Sequence, residues 1–386
     1  MIPRLCVAAV ATFLATAVFA QDTIRIATFN ASLTRAGPGV LINRLAEGGD
    51  DQIRAVAQII RKTRPDIILI NEFDHDPVGL AADMFVELLS KGADSAAGVE
   101  YAHKYDAPPN TGYLSGQDLN GDGKVGGPDD AFGYGKFPGQ YGMLLLSRFP
   151  IAEDAVRDFS KLGRSDLPNA DLPVNADGTP YPSEQAQAVM RLSSKGHWDV
   201  PIETPIGQIN ILASHPTPPV FDGPEDANGK RNADEIRFWV HYLNGVTFPD
   251  QNGIATPFSD APFVILGDLN ADPLDGDGTH DAIKSLLAHP RVSDPKPASK
   301  GAVDAATLQG GNNTTQSGDP ALDTADWNDT KGPGNLRVDY VLPSSDLTVV
   351  DSGVFWPTRT DPDFALIGAG KPVSSDHRLV WVDVRR

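Results

Sequence analysis

The chain has 386 residues, of which 40% are hydrophobic and 22% charged, and its formal net charge at pH 7 is -19. This composition is typical of a soluble globular protein with one large domain or two, and it excludes a chain that is disordered throughout. The acidic balance repels polyanions at long range, which argues against non-specific nucleic-acid binding through a broad basic surface, and it favours divalent cations.

The first twenty residues have the pattern of a secretory signal peptide. Arg4 provides a short basic start, residues 5–18 are apolar, and Val18-Phe19-Ala20 forms a small-residue cleavage site. A transmembrane anchor needs about 20 apolar residues, so this shorter stretch favours cleavage and a secreted or periplasmic protein. The single cysteine, Cys6, lies inside the segment, which leaves no disulfide for the mature chain. We predict no transmembrane segment after it.

Short apolar runs alternate with amphipathic stretches along the rest of the chain. In chain order we predict a strand at 24–30, a helix at 50–63, a strand at 66–72, a helix at 80–92, a strand at 141–147, a hairpin of strands at 197–203 and 207–215, a helix at 233–245, a strand at 262–270, a helix at 280–289, and strands at 337–344, 347–355 and 378–384.

Three long stretches rich in Gly, Pro, Asp and Asn interrupt these elements, near 94–140, 157–195 and 296–335. They have the composition of linkers between domains. Because the strands on either side carry matching polar ends, we interpret them instead as insertions in a single catalytic domain, residues 21–386.

Polar side chains follow several of the predicted strands. The first strand ends on Asn30, the second on Glu72 and the hairpin on His215, and "FVILGDLNADP" ends its apolar run on acid and amide residues. A single Asn or Asp after a strand is usually a turn former. Because ligand sites of α/β sheets gather where strand ends meet, the repetition of such endings favours one common site.

Two further pairs belong to the same pattern. Asp268 and Asn270 are two residues apart on an extended segment, so their side chains point to the same face. Asp376 and His377 lead into the last strand. Carboxylates and amides without cysteine favour Mg²⁺, Mn²⁺ or Ca²⁺ over structural zinc. A metal with His and Asn donors can neutralise the oxygens of a phosphate ester while an activated water attacks it.

The sequence resembles the endonuclease/exonuclease/phosphatase superfamily, which has the pancreatic deoxyribonuclease-like fold. The matching segments occur in the family's order and span nearly the whole mature chain: IATFN, IILINE, LLLSRFPI, ILASHPTPP, FVILGDLNADP, RVDYVLPS and SSDHRLVWVDV. The resemblance implies a four-layer α/β sandwich, in which two packed mixed β-sheets are flanked by helices. It also implies metal-dependent cleavage of phosphoester bonds.

The same resemblance implies a metal-binding group. Glu72 would be the main ligand of Mg²⁺ or Mn²⁺, Asn30 would support the metal or the phosphate, and Asp376 would help to bind the metal.

It also implies a catalytic group. Asp268 would orient or deprotonate the attacking water, and Asn270 would hold a phosphate oxygen. His377, oriented by Asp339, would stabilise the phosphoryl transition state or act in acid/base transfer. His215 would donate to the phosphate or protonate the leaving group, and the pair of histidines would make activity depend on pH.

The first insertion contains a pattern of its own. In DLNGDGKVGGPDD, Asp118, Asn120 and Asp122 occupy positions 1, 3 and 5 of a calcium-loop spacing, with the Lys124 carbonyl at 7 and Asp129 at 12. A Gly/Asp surface loop without an ion has the same composition, and no convincing EF-hand helix pair flanks the segment. We predict that Ca²⁺ binds this 118–129 loop and stabilises it.

Arg231 lies at the start of the helix that follows the His215 strand. A basic residue at a helix start near a phosphate site could contact substrate, although Asp234 and Glu235 make ordinary helix capping an equal alternative.

We therefore predict a secreted metal-dependent phosphoesterase, with a phosphodiester preferred over a monoester. Its substrate would be a nucleic acid or a small organic phosphate, and no protein partner is implied. One alternative is a phosphomonoesterase that scavenges phosphate from small organic esters. Another is a non-catalytic calcium-dependent binding module on the same fold, since a fold alone does not fix function.

Overall fold

The structure is a computed structural model that describes residues 22–93 and 96–386. The predicted signal peptide, residues 1–20, lies outside the described residues, as do residues 94–95 of the first insertion. The strands are β1 (Ile24–Leu33), β2 (Ile67–Phe73), β3 (His103–Tyr105), β4 (Met143–Ser147), β5 (Arg157–Asp158), β6 (His197–Thr204), β7 (Gly207–Ser214), β8 (Phe248–Pro249), β9 (Ala255–Thr256), β10 (Phe263–Asp268), β11 (Ala325–Asp326), β12 (Asn335–Leu336), β13 (Asp339–Pro343), β14 (Thr348–Val354) and β15 (Val380–Arg385). The helices are α1 (Val40–Ala46), α2 (Asp51–Thr63), α3 (Leu80–Ser90), α4 (Glu184–Val189), α5 (Ala227–Leu243), α6 (His280–Leu287) and α7 (Lys300–Gln309).

Two mixed sheets form the centre of the fold. The first has six strands in the order β14-β15-β1-β2-β4-β3, and the second has five in the order β13-β10-β7-β6-β5. Each sheet has one parallel pair, β1 with β2 and β7 with β10, and its other pairs are antiparallel. A parallel pair needs a crossover connection, and helices α2 and α5 lie within these two connections. The prediction of mixed sheets is confirmed.

The burial pattern of β10 defines the layers. Val264 and Leu266 pack in a core cluster that contains strands of both sheets, so they face the other sheet. Phe263 and Ile265 pack in a second cluster with apolar residues of α5 and α6, so they face these helices. Because side chains alternate along a strand, one sheet contacts the other sheet on one face and helices on the other. Helices α2 and α3 contribute residues to the first cluster, which completes the predicted four-layer α/β sandwich.

The predicted strands and helices are present with small shifts at their ends, including the hairpin of β6 and β7. Helix α5 begins at Ala227, earlier than the predicted residue 233. Its first turns contain Asn228 and Gly229, which are poor helix formers, so the apolar periodicity starts only later.

Helix α7 lies in the third insertion, where we predicted no element. Ser299 caps it by accepting a hydrogen bond from the backbone N–H of Ala302, and its buried side chains are small, Ala302 and Ala306. Such a weak apolar face gives little sequence signal.

None of the helices in the described part of the chain is long and apolar enough to cross a membrane. The single-domain organisation stays a prediction.

Candidate active site

The predicted site residues of the two sheets meet across the interface between the sheets. Asn30 of β1 donates through Nδ2 to Oε1 of Glu72 on β2 at 3.3 Å and to Oδ2 of Asp268 on β10 at 3.0 Å. Asn30 therefore joins the predicted metal ligand of one sheet to the predicted water-orienting carboxylate of the other.

Asp268 is the centre of this cluster. Its Oδ2 lies 3.3 Å from Nε2 of His215 and 3.8 Å from Nε2 of His377. Its Oδ1 accepts a hydrogen bond from the backbone N–H of Asn270 at 2.9 Å. The Asn270 side chain donates to the carbonyl of Pro216 at 3.1 Å. Both oxygens of the Asp268 carboxylate thus have hydrogen-bonding neighbours that hold it in place.

His377 is oriented by Asp339, as the resemblance implies. Nδ1 of His377 lies 2.9 Å from Oδ2 of Asp339, and this oxygen also accepts a hydrogen bond from Oγ1 of Thr324 at 2.8 Å. The Trp327 ring meets the His377 ring edge-on, with centroids 5.4 Å apart. Two polar contacts and one aromatic contact therefore hold the imidazole and its carboxylate in place.

Asp376 lies beside the cluster. Its Oδ2 accepts a hydrogen bond from Nε1 of Trp327 at 3.1 Å. Its neighbour Ser375 donates through Oγ to the backbone carbonyl of Asn30 at 2.7 Å, which attaches the segment before β15 to β1. Asp376 is half-buried, and it lines the same cavity as Glu72.

Local backbone geometry helps to place these side chains. Glu72 and Asn270 both have left-handed φ values, 58° and 50°, and such values in residues other than glycine are uncommon and cluster at functional sites. Gly267 precedes Asp268 with φ 151°, and a Cβ atom there would lie 1.9 Å from the carbonyl oxygen of Ser214. Only glycine allows β7 and β10 to approach this closely beside His215 and Asp268.

Electrostatics give the two histidines different charge states. Burial alone would lower the pKa of His377, but the negative charges of Asp339 and Asp268 raise it to about 10. Burial and the positive charge of Lys195 lower the pKa of His215 to about 4. At neutral pH one ring is an imidazolium and the other is neutral.

The three carboxylates also differ. Burial opposes ionisation of Asp268, yet the charge of His377 and the hydrogen bond from His215 hold its pKa below the usual range. Burial raises the pKa of Asp339 to about 6, so it is ionised at neutral pH. Burial also raises the pKa of Glu72, against the charge of His377 and the hydrogen bond from Asn30. The charges of His377 and Lys195 therefore compensate only in part for the burial of Glu72.

This property of Glu72 fits a divalent cation, because a bound cation would stabilise its ionised form. Ligand atoms of Asp268, Asp339 and His377 also lie within 4.8 Å of one another, and they form the one such group of acidic, histidine or cysteine residues in the described chain. The hydrogen bond between His377 and Asp339 accounts for this proximity. Metal binding by Glu72, with support from Asn30 and Asp376, stays a prediction.

Lys195 is a candidate functional residue that the sequence analysis missed. It lies just before β6, its side chain is 7% exposed, and its Nζ donates to the carbonyl of Pro216 at 3.2 Å. Burial lowers its pKa, while the charges of Glu235, Glu72 and Asp268 act in the opposite direction. A lysine within a Ser/Gly segment carries no local signal of burial, so only the tertiary structure reveals this cation.

Arg231 lies on the first turns of α5 and is buried. Its Nε donates to the carbonyl of Leu192 at 3.1 Å, and its Nη2 donates to the carbonyls of Phe132, Arg191 and Ser193. These bonds connect α5 to the first and second insertions. Contact of Arg231 with substrate stays a prediction.

The predicted calcium loop is a series of tight turns. Asp118 accepts hydrogen bonds from the N–H groups of Gly121 and Gly123, and Asp122 accepts one from the N–H of Lys124. Oδ1 of Asn120 accepts from the N–H of Asp122, and Asp129 lies in a short 3₁₀ turn. Within the described residues, no three acidic groups of this loop have their oxygens within 4.8 Å of one another. Calcium binding stays a prediction.

A large cavity of about 1110 Å³ opens above the cluster. Its walls include Glu72, Lys195, His215, Asp268 and His377, together with residues of all three insertions. The cluster around Asp268 is therefore accessible to a small molecule.

The fold and the site together define a class of protein: an α/β sandwich with an acid, amide and histidine cluster at the edge of its two sheets. The model of the endonuclease/exonuclease/phosphatase family matches residues 27–377. The chain belongs to this family, whose members are phosphoester hydrolases that generally use a divalent metal.

One of three similar solved structures supports the fold. An endonuclease/exonuclease/phosphatase from Beutenbergia cavernae superposes with a TM-score of 0.51 at 19% identity, over 94% of this chain and 71% of that chain. The catalytic domain of human Nocturnin, at a TM-score of 0.46 and 14% identity, covers 95% of this chain and 96% of its own. A mannosyl-6-phosphatase from Bacteroides thetaiotaomicron, at 0.46 and 13% identity, covers 94% of this chain and 100% of its own. No curated protein sequence matches the chain significantly. At 19% identity the likeness to the Beutenbergia cavernae protein shows the fold alone.

Proposed function

We propose that the protein is a secreted, divalent-metal-dependent phosphoesterase that hydrolyses a phosphodiester. The observation that carries this proposal is the bridge from Asn30 to Glu72 and Asp268, at 3.3 and 3.0 Å, beside the His377–Asp339 pair. It joins a carboxylate suited to a metal with a carboxylate and an imidazolium suited to phosphate chemistry.

Glu72 would hold Mg²⁺ or Mn²⁺, with Asn30 and Asp376 in support. The donor set fits the ion, because these are oxygen ligands and burial raises the pKa of Glu72, so a cation would stabilise its ionised form. When bound, the ion neutralises negative charge on the phosphate oxygens.

The side chains of the chain do the rest. Asp268 accepts a hydrogen bond from the attacking water and orients it. The imidazolium of His377, held by Asp339, and the ammonium of Lys195 stabilise negative charge on the phosphoryl oxygens. Asn270 donates to another phosphate oxygen. His215 is neutral and, among the described residues, its Nδ1 has no hydrogen-bond partner, so this nitrogen can take up the proton that the attacking water releases and pass it to the leaving oxygen.

Charge favours the diester over the monoester. The carboxylates of Glu72, Asp268, Asp339 and Asp376 lie around the reaction centre. The cationic side chains that act on Glu72 are His377 and Lys195, so the four acids outnumber them. A diester brings one negative charge into these surroundings and a monoester brings up to two.

The test is hydrolysis of bis-p-nitrophenyl phosphate and p-nitrophenyl phosphate by the purified protein, with Mg²⁺ or Mn²⁺ and with EDTA. We expect metal-dependent turnover that His377→Ala removes. His241→Ala is the matched control, since His241 is half-buried on α5 and does not line the cavity. Preference for p-nitrophenyl phosphate would favour the phosphomonoesterase, and hydrolysis of neither ester would favour the non-catalytic module.

Two further predictions belong to this proposal. Secretion predicts that the mature protein recovered outside the cytoplasm begins at Gln21, which N-terminal sequencing would show. Calcium in the 118–129 loop predicts that Ca²⁺ raises the melting temperature and that Asp118→Asn removes the increase. An equal increase in Asp118→Asn would exclude this loop as the site.

A further inference from the structure

The cavity extends far beyond the space that a phosphate group needs. Its volume of about 1110 Å³ is slightly above the usual range of small-molecule sites, which is about 300–1,000 Å³. Residues of the first and second insertions form much of its wall away from the catalytic cluster. Its shape therefore makes room for the organic part of a substrate.

The two insertions that form the wall are attached to each other and to α5. The hydroxyl of Tyr181 in the second insertion donates to the carbonyl of Asn120 in the first at 2.8 Å. Arg231 of α5 donates to the carbonyls of Phe132 and Ser193 at 2.6 and 3.0 Å, and so reaches both insertions. The wall is a built surface rather than two independent loops.

The lining of this wall is apolar and aromatic, with an acidic component. Apolar and aromatic lining residues include Leu119, Tyr134, Leu172, Tyr181, Met190 and Phe221. Acidic lining residues outside the catalytic cluster are Asp129, Asp222, Glu225, Asp272, Asp275 and Asp277. Phe221, with its side chain 93% exposed, extends from the loop that follows His215.

Few positive charges balance these acids. The lysine and arginine residues that line the cavity are Arg164, Lys195 and Arg231. Arg164 pairs with the buried Asp234 at 2.8 Å, and the Nε and Nη2 groups of Arg231 are used by backbone carbonyls. Lys195 remains for a ligand, and it lies near Glu72 and Asp268. The cavity thus has cationic support for one phosphate, at the catalytic cluster.

We propose that the cavity selects small esters with a single phosphate, whose organic part is at least partly apolar and carries no negative charge. This inference rests on the proposed phosphoesterase function and names its substrate class. A polynucleotide would bring additional phosphates against Glu225, Asp275 and Asp277, where no lysine or arginine of the lining is free to pair with them. An uncharged or cationic organic group meets aromatic rings and carboxylates there instead.

The test uses two chromogenic diesters that differ by one phosphate. Thymidine 5′-(p-nitrophenyl phosphate) has one phosphate. Its 3′-phosphorylated counterpart has a second phosphate on the sugar, which stays with the nucleotide when p-nitrophenol leaves. We expect the second phosphate to lower kcat/KM by about tenfold or more, because it enters an acidic wall. We also expect added NaCl to narrow the difference, because salt screens charges.

A charge-neutralised variant assigns the effect to the wall. In Asp277→Asn/Glu225→Gln we expect the ratio between the two diesters to narrow by about threefold or more. Asp154→Asn is the control, since Asp154 is exposed and does not line the cavity, and there the ratio should stay as in the parent. A ratio of the two kcat/KM values near one in the parent protein would overturn the inference. So would a ratio in the double variant that equals the parent's ratio.

Binding separates this inference from the proposed function. Calorimetric titration with thymidine 5′-monophosphate and thymidine 3′,5′-bisphosphate reports selectivity even without turnover. If bis-p-nitrophenyl phosphate is hydrolysed but the bisphosphate binds as tightly as the monophosphate, the substrate class is wrong and the phosphoesterase function stands. If no ester is hydrolysed but the monophosphate binds more tightly, the cavity selectivity stands and the enzymatic function is wrong.

Discussion

Asp268 and Asp339 lie directly opposite each other on the neighbouring antiparallel strands β10 and β13. Like charges in such a cross-strand pair destabilise a sheet. His377 compensates for this repulsion, since its Nδ1 lies 2.9 Å from Oδ2 of Asp339 and its Nε2 lies 3.8 Å from Oδ2 of Asp268. The protonated His377 ring therefore stabilises the sheet as well as taking part in the proposed reaction.

The first prediction concerns Asp339→Asn. We expect kcat to fall by roughly 10²–10⁴-fold, the size typical of losing an oriented acid or base. The charge of Asp339 raises the pKa of His377 to about 10, so removing it lowers that pKa. On the alkaline side of the pH profile, kcat/KM should therefore begin to fall at a lower pH in Asp339→Asn than in the parent protein. Asp154→Asn, an exposed change of the same charge, should keep the parent profile. An unshifted profile in Asp339→Asn would show that His377 does not act as a cation.

The second prediction concerns Glu72→Gln and metal binding. A ligand that binds only the folded state stabilises it by ~2.7 kcal/mol at a hundred times its Kd. We expect Mg²⁺ or Mn²⁺ to raise the melting temperature of the parent protein clearly and that of Glu72→Gln much less. Glu87→Gln, a change on an exposed face of α3, is the control and should respond as the parent does.

Without metal, Glu72→Gln should no longer be the less stable of the two proteins. Burial raises the pKa of Glu72, so the neutral amide should melt at the same temperature as the parent or a higher one in EDTA. Equal metal stabilisation of parent and Glu72→Gln would assign the ion elsewhere.

The third prediction concerns Gly267→Ala. The new Cβ would lie 1.9 Å from the carbonyl oxygen of Ser214, so β7 and β10 would have to separate. We expect a loss of about 1–3 kcal/mol in unfolding free energy, the usual cost of overpacking, and a loss of activity as His215 and Asp268 move apart. Gly253→Ala tests the backbone contribution alone, because Gly253 also has positive φ, 74°, but has open space around it. Similar losses in both variants would contradict the steric explanation.

The fourth prediction concerns pH and stability. Asp323 is 6% exposed, and burial together with the charges of Asp272, Asp275 and Asp319 raises its pKa from 3.8 to about 8. Between these values the folded state binds more protons than the unfolded state, so the free energy of unfolding falls as pH rises. The maximum slope is ~1.4 kcal/mol per pH unit.

Asp323→Asn removes this titration. We expect its gain in melting temperature over the parent to be larger at pH 8 than at pH 5, measured by thermal unfolding across that range. Asp154→Asn should show no such trend. A gain that is independent of pH would mean that Asp323 titrates alike in the folded and unfolded states.

The sequence identified most of the sheet elements because their information is local. The apolar run of β10 and the amphipathic pattern of α2 are each visible within a dozen residues. Helix α7 was missed because its buried side chains are alanines, which give a weak periodic signal. The calcium-loop spacing is equally local, but spacing does not tell how the carboxylates are oriented, and the two backbone hydrogen bonds to Asp118 are visible only in the structure.

By itself the sequence determined the order of the strands along the chain, the polar residues at their ends and the family to which these motifs belong. Only the tertiary structure decided which of these residues touch. The hydrogen bond from Asn30 to Asp268 joins residues 238 positions apart and depends on how two sheets pack. The burial of Lys195 depends on the second insertion, and the charge of the cavity wall comes mainly from the loops that follow β7 and β10. Periodicity encodes which face of an element is buried, whereas the partners of that face depend on packing between elements distant in sequence.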